Sequence, residues 1–349
     1  MRAILQGLGL CAVLAGMAQA NDGFGGISAT GLTFGQTNAV AMVEEDLFIG
    51  IDRISVDYLF RNTSAQDVTG EVIFPLPPIS LGAMMMSDWN LPEDRSRENL
   101  VGFSVTVEGQ PVPFQIDRLA VVEPPWSEDR PLSEQYDTPG QDVTALLQSL
   151  DIPLSLDVDL VVERLGQVSA KGRAALLGAG AIEVYGDGSG GDEIVPNWSI
   201  VLRHHWTQTF PAGADLRISH SYENRPSGGI FVWRDPPSDD WLQQVTAQYC
   251  IDAGTSAAIM KRLKGSASSG EDYVTGMAWN IAYVLRTANS WAGPIGRFQL
   301  TLDKGSVDNV ISLCASGIKK TGPTTFVMEK QNFTPQDDLA ILVVQPLGD

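Results

Sequence analysis

Ile54-Ser55-Val56-Asp57-Tyr58-Leu59-Phe60-Arg61-Asn62 decides the fold class of this chain. Ile54, Val56, Tyr58 and Phe60 fall on one side of an extended backbone, with Ser55, Asp57 and Leu59 on the other. That two-residue period is a strand with one buried face. Working outward, Asn62 to Asp67 is a polar turn, and Val68 to Leu76 is a second strand stopped by Pro75, Pro77 and Pro78. Strand character begins upstream at Leu47, after a Gly-, Ser- and Thr-rich arm from Asn21 to Thr37. Downstream, Val101 to Val107 and Val112 to Val121 flank Glu108-Gly109-Gln110, a hairpin signal.

Past residue 122 the pattern changes. Glu123 to Gly140 is Pro-rich and polar, as in a loop or linker. Asp142 to Leu150 has helical spacing, with Val143, Leu146, Leu147 and Leu150 on one side. Asp157 to Leu177 continues it, with Leu160, Val161, Leu165, Val168 and Leu176 as the apolar set and Ser155 as a cap. The stretch from Ser199 reads as a hairpin: Ile200, Leu202, His204, Trp206 and Phe210 share one face, then Leu216, Ile218, His220 and Tyr222 share the next, across a Pro211-Ala212-Gly213 turn. That register sets His204 opposite His220, both toward the core. Asp239 to Lys264 predicts helix in two pieces, capped at Ser238 and interrupted at Gly254-Thr255. Strands follow at Trp279 to Arg286, Phe298 to Leu302, Val310 to Cys314, Thr325 to Glu329 and Leu339 to Val344. The expected fold is mainly β with helical insertions (α+β), built as two β-sandwich-like units. Its expected parts are a signal peptide (1–20), an N-terminal sandwich-like domain (21–122), a loop and helical insertion (123–190) and a C-terminal β-rich domain (191–349) with helices near 239–264.

The first twenty residues carry an address. Arg2, the apolar run from Ala3 to Met17 and the small residues of Ala18-Gln19-Ala20 form a secretory leader with cleavage between Ala20 and Asn21. The expected location is periplasmic or secreted. The mature chain has no further apolar run long enough to span a bilayer. Losing Arg2 takes the formal net charge from −19 to −20, which repels nucleic-acid phosphates and anionic lipids and argues against a nucleic-acid partner. Cys250 and Cys314 are the cysteines left after cleavage, and an oxidising compartment pairs them. Closing a loop of about 60 residues stabilises by roughly 4 kcal/mol in the chain-entropy model.

Several blocks then resemble one family along the whole mature chain. They are Met42-Val43-Glu44-Glu45-Asp46-Leu47-Phe48-Ile49, Val56 to Asn62, Phe74-Pro75-Leu76-Pro77, Trp206 to Gly213, Trp291 to Ile295, Asp303 to Asn309, Cys314 with Gly317-Ile318-Lys319-Lys320, and Asp337-Asp338-Leu339. The resemblance is to exported bacterial proteins catalogued only as a domain of unknown function. It implies an envelope or secreted location and a mainly β fold, and it assigns no activity or catalytic residues. The first strand pair, with its Asn-centred turn and Phe-Pro-Leu-Pro element, also resembles the vault/inter-alpha-trypsin β module.

Candidate chemistry is sparse. His204 and His220 are spaced as metal ligands on adjacent strands, without a third ligand in the sequence; the alternative is a packed aromatic core. Asp187, Ser189 and Asp192 lie in a glycine-rich loop that offers calcium oxygen ligands but does not match an EF-hand. No nucleophile elbow, metalloprotease helix, phosphate loop or dinucleotide fingerprint occurs, so no cofactor is expected. Met84, Met85, Met86 and Trp89 form an apolar cluster suited to a partner surface or to closing one end of the first sandwich. The residues point to a non-enzymatic envelope protein, a binding or assembly module for an envelope protein or glycan. A periplasmic hydrolase acting on envelope material is the alternative.

Overall fold

The computed structural model describes residues 18–20, 22–28, 31–76, 78–86, 90–124, 140–186, 192–264 and 272–347. Its strands begin with β1 (Ala18–Ala20), β2 (Gly23–Ser28), β3 (Gly31–Phe34), β4 (Val40–Ile49), β5 (Arg53–Asn62), β6 (Val68–Pro75) and β7 (Ile79–Ser80). Helix α1 (Leu81–Met86) precedes β8 (Ser104–Val107), β9 (Gln110–Pro111), β10 (Gln115–Val122) and β11 (Gln141–Asp142). Three helices follow, α2 (Thr144–Ser149), α3 (Val158–Gln167) and α4 (Ala170–Gly178), then β12 (Ile182–Gly186) and β13 (Asp192–Pro196). The second half contains β14 (Ser199–Phe210), β15 (Asp215–Glu223), β16 (Ser227–Trp233), α5 (Asp240–Tyr249) and α6 (Ala253–Leu263). It closes with β17 (Val274–Val284), β18 (Ile295–Asp303), β19 (Val310–Leu313), β20 (Lys319–Lys320), β21 (Thr325–Phe333) and β22 (Leu339–Pro346). The chain is mainly β with helical insertions, as its periodicities predict.

Three large sheets share one core. The eight-stranded sheet runs β20-β21-β18-β4-β5-β15-β8-β9, and the seven-stranded sheet runs β11-β10-β14-β6-β2-β3 with β7 beside β14. The five-stranded sheet runs β1-β17-β22-β19 with β16 beside β17. Alternation along β5 buries Ile54, Val56, Tyr58, Phe60 and Asn62 on one face. A register shift between Met42 and Glu44 in β4 turns Glu45, Leu47 and Ile49 onto that face. This face meets Val72, Phe74, Ile200 and Leu202 of the seven-stranded sheet and Ile281, Tyr283, Ile341 and Val343 of the five-stranded sheet. Leu147, Val161, Leu165 and Leu176 of α2 to α4 join the same cluster. The opposite face of the five-stranded sheet, with Val274, Ala278, Leu342 and Val344, packs on Leu242, Val245, Ile259 and Leu263 of α5 and α6. Strands from residues 21–122 and from 191–349 therefore share sheets: β4 pairs with β18, and β5 with β15.

Several local expectations need correction. β14 and β15 do not form a hairpin: β14 pairs with β6, β7 and β10, whereas β15 pairs with β5 and β8. The Pro211-Ala212-Gly213 turn is a corner between sheets, tied down by Asp67 Oδ1, which accepts from Ala212 N at 2.8 Å, and by Gly213 N, which donates to Ser64 O. Glu108 and Gly109 do form a tight turn, both at positive φ. The returning β9 is only two residues long, and the chain then crosses to the other sheet as β10. The expected helix from Asp157 to Leu177 breaks into α3 and α4 because Ser169 caps a new start, its Oγ accepting from Gly172 N. Asp157 rather than Ser155 caps α3, and Leu160 of the expected apolar set is exposed. Asp239, not Ser238, caps α5; Asp252 caps α6, so the break falls before Gly254. The three methionines belong to a short helix, α1, rather than a loop.

Cys250 ends α5 in the left-handed conformation and is bonded to Cys314, just past β19, with Cα atoms 5.0 Å apart. Ser312 Oγ donates to Tyr249 O at 2.9 Å beside it. The bridge fastens the helical layer to the edge of the five-stranded sheet. Among the described residues no helix is long and apolar enough to cross a membrane. Replacing both cysteines with serine is expected to lower unfolding free energy by up to about 4 kcal/mol, the chain-entropy value for this loop. Urea denaturation of the double variant against the parent measures it, and equal midpoints would refute it.

Candidate functional site

Corner geometry brings the two predicted histidines together across the sandwich rather than along a hairpin. His204, on β14, is the cross-strand partner of Phe74. His220, on β15, is the partner of Val56 on β5. Phe103 lies between them, 4.8 Å from the His204 ring and 5.3 Å from that of His220. Tyr58 and Tyr222 extend this ring cluster around His220. Asp22, at the start of the N-terminal arm, reaches in until its Oδ1 is 3.2 Å from His220 Nε2, with both side chains at 0% exposure. Trp291 Nε1 donates to the Asp22 carbonyl at 3.1 Å, and Asp22 N donates to the Tyr58 hydroxyl at 3.4 Å. Glu45, fully buried, is the cross-strand partner of Tyr58.

Burial governs the proton chemistry of this cluster. It pushes the His204 imidazole down to about 3, with His220 and His205 adding to the effect, so His204 is neutral at ordinary pH. Burial also raises Tyr58, Tyr222 and Tyr283 well above the usual phenol range, and the Asp22 carboxylate reinforces this for all three. Such groups neither give nor take protons near neutrality, and solvent does not touch them.

The third histidine faces the other way. His205 Nδ1 lies 2.9 Å from Glu71 Oε2 on β6, and its Nε2 is 3.7 Å from Asp117 Oδ1 on β10. Thr207 Oγ1 donates to the second Glu71 oxygen at 2.5 Å. This carboxylate–imidazole–carboxylate chain was not singled out from sequence; the alternation of β14 alone places residue 205 opposite 204. Among the described residues, no three His, Cys, Asp or Glu side chains are grouped so as to hold a metal ion. Asp187 and Ser189 lie outside the described residues, and Asp192 begins β13.

Among the clefts that open at the surface, two bear on the site. Met84 and Met85 line one of about 400 Å³ with Arg95, Asp157, Val158, Asp159 and Val162. Met86 ends α1, and Trp89 lies outside the described residues. The other, of about 280 Å³, is lined by Ile51, Asp52, Asn90, Glu223, Asn224, Arg225, Pro226 and Trp279. It forms where the β4–β5 turn, the β15–β16 link and β17 meet. Asn224 fixes the junction: its N donates to Asp52 O at 2.9 Å and its Nδ2 to Gly50 O at 2.6 Å. Arg225 and, from outside, Arg97 both grip Glu223 Oε2, at 2.7 and 3.1 Å. Arg225 chiefly, then Arg97, holds that carboxyl below its usual range. Sequence reading missed this cleft because its residues come from four segments that are distant along the chain.

Comparison with known proteins adds a family. Residues 20–342 match a family model described as a domain of unknown function, DUF4424. No curated protein matches the chain. Among solved structures, the crystal structure of a "putative nutrient binding protein" from Legionella pneumophila is similar at 15% identity and a TM-score of 0.44, covering 94% of this chain and 71% of that one. The vault-type likeness of the first strand pair rests on its strand pattern alone.

The buried imidazole has a measurable consequence. Below its ordinary value of 6.5, the unfolded chain binds a proton at His204 that the folded chain refuses until about pH 3. Stability from this group therefore falls as pH drops through that window, by about 1.4 kcal/mol per pH unit at most. His204→Leu should remove that part of the acid slope, and urea unfolding between pH 7 and pH 4 measures it. An unchanged slope would show that His204 is charged in the fold.

Proposed function

This chain belongs to the DUF4424 family, and on that premise we propose that it is an exported, non-enzymatic binding module that holds a small polar ligand in the cleft between Asp52, Arg225 and Trp279. One contrast carries the reading. The groups with strongly displaced proton affinities, His204, Tyr58, Tyr222, Tyr249 and Tyr283, are buried in the core clusters, whereas the cleft presents a carboxylate clamped by two guanidinium groups. A hydrolase wants an accessible acid or base poised near neutrality. A carboxylate held ionised by Arg225 and Arg97 is instead suited to ordering a ligand.

Export is supported by the leader pattern of residues 1–20 and by the Cys250–Cys314 bond. Cleavage between Ala20 and Asn21 would remove β1, which runs parallel to residues 282–284, and would leave Asp22 second in the mature chain. Terminal sequencing of the exported product should read Asn21 first; an intact Met1 would contradict export.

Ligand binding raises stability by about 2.7 kcal/mol at a hundredfold excess over Kd. Thermal unfolding of the mature protein against a library of small polar solutes should give a concentration-dependent rise in Tm. Trp279→Ala should lose that rise while keeping its own cooperative transition. Turnover of an ester or glycan library by the parent protein would overturn the non-enzymatic reading.

A further inference from the structure

We propose that the cleft at Trp279 takes a neutral, hydroxyl-rich ring, a single saccharide unit; this rests on the reading of that cleft as a binding site. Charge narrows the choice first. The lining holds two carboxylates, Asp52 and Glu223, and one guanidinium, Arg225, while Arg97 adds its charge from outside. Both guanidinium groups pair with Glu223, and Asp52 brings the count to two carboxylates against two guanidinium groups, so an anionic ligand finds no net positive charge in the cleft and must approach a chain of net charge −19. A cationic ligand meets two guanidinium groups close to the carboxylate it would need.

Hydrogen-bonding geometry points the same way. The guanidinium contacts to Glu223 all fall on Oε2: Arg97 Nη2 at 3.1 Å, Arg225 Nε at 3.2 Å and Arg225 Nη2 at 2.7 Å. Oε1 is directed toward Gly102, where a Cβ would come within 3.1 Å of it and the backbone has φ +59°. Asn90 is oriented by its Nδ2, which donates to Pro226 O at 3.2 Å. Two carboxylates, an amide and a guanidinium, several already held in place, bring acceptors and donors together in the lining of one small cleft. Sugar hydroxyls are donor and acceptor at once and can satisfy both.

Trp279 supplies the apolar side. Its Nε1 donates to Gln345 Oε1 at 3.0 Å. Gly228, its cross-strand partner, lies so close that an added Cβ would be 2.5 Å from indole Cε3. The indole is therefore fixed in orientation and backed by backbone, and Ile51 and Pro226 continue its apolar surface in the cleft. A rigid aromatic beside polar groups suits a ligand with one C–H face and a hydroxyl edge. At about 280 Å³ the cleft lies just below the roughly 300–1,000 Å³ of drug-sized ligand pockets, which limits it to a single ring.

The test titrates the mature protein with glucose, galactose, N-acetylglucosamine and maltose, and with glutamate, lysine and inorganic phosphate as charged probes, reading heat and tryptophan fluorescence. At least one neutral sugar should bind with a Kd that changes less than twofold between 20 and 500 mM NaCl. Trp279→Ala and Asp52→Asn should each weaken it tenfold or more while retaining the parent unfolding transition. Binding of the monosaccharides assigns a free sugar, and binding of the disaccharide alone assigns a glycan chain. Sugar binding that survives Trp279→Ala, or no sugar binding at all, overturns the saccharide assignment. A charged probe that binds in a Trp279-dependent, salt-sensitive manner would do so too, yet would leave the cleft as a binding site; silence from every probe removes both.

Discussion

The chain turns a corner between Phe210 and Asp215 instead of folding back on itself, and the sandwich depends on that turn. Because β14 and β15 enter opposite sheets, their apolar faces meet across the core rather than lying side by side. Asn62 holds the corner closed. Its Nδ2 donates to Phe210 O and Gln66 O, each at 2.8 Å, its backbone N donates to Ala214 O, and its Oδ1 accepts from Ser64 N and Oγ. The side chain is fully buried, and each buried polar group left without a partner costs about 1–3 kcal/mol. A fully matched amide at this point therefore favours the crossing over the hairpin that the turn residues alone suggest.

Around that corner, two kinds of chemistry are kept apart. Aromatic burial stabilises the interior by about 1.5–3 kcal/mol per large side chain. An isolated buried carboxylate costs several kcal/mol, so the Asp22 side chain belongs in the core only in company with His220, while Trp291 and Tyr58 hold its backbone carbonyl and N–H. That company fastens the N-terminal arm, which Ser290 also holds by accepting from Phe24 N. Ionisable groups inside thus serve attachment. The surface cleft is built from charges that already balance one another.

Legibility in the sequence follows the range of the interaction. Two-residue alternation reports on burial of one face, so β5 and most of β18 could be read where they stand, whereas β6 and β22, with continuous buried runs at residues 71–75 and 341–344, read as short apolar stretches between breakers. Pairing is not written in alternation: β14 and β15 carry an alternating pattern that fits a hairpin as well as a crossing, and the deciding contacts come from Asn62 and Asp67, about 150 residues earlier. Caps failed by one or two residues where several candidates were adjacent, as at Ser238-Asp239 and Ser155-Asp157. The inward direction of both histidines was legible, and the cysteine pair followed from compartment chemistry. The cleft was not, because Asp52, Asn90, Glu223 and Trp279 each look ordinary in their own segments.

One pairing shapes how this molecule must come into being. β4 lies parallel to β18, with Leu47 beside Leu300 and Ile49 beside Leu302, although the two strands are some 250 residues apart. Parallel neighbours so remote close very long loops, and folding rates fall as such non-local pairings accumulate. For a polypeptide that emerges amino end first, the central sheet stays open until nearly the last eighth of the chain is delivered. Until then the edge of β4 that faces β18 has no strand beside it, and the acidic run Glu44-Glu45-Asp46 in that strand works against pairing with a neighbouring chain.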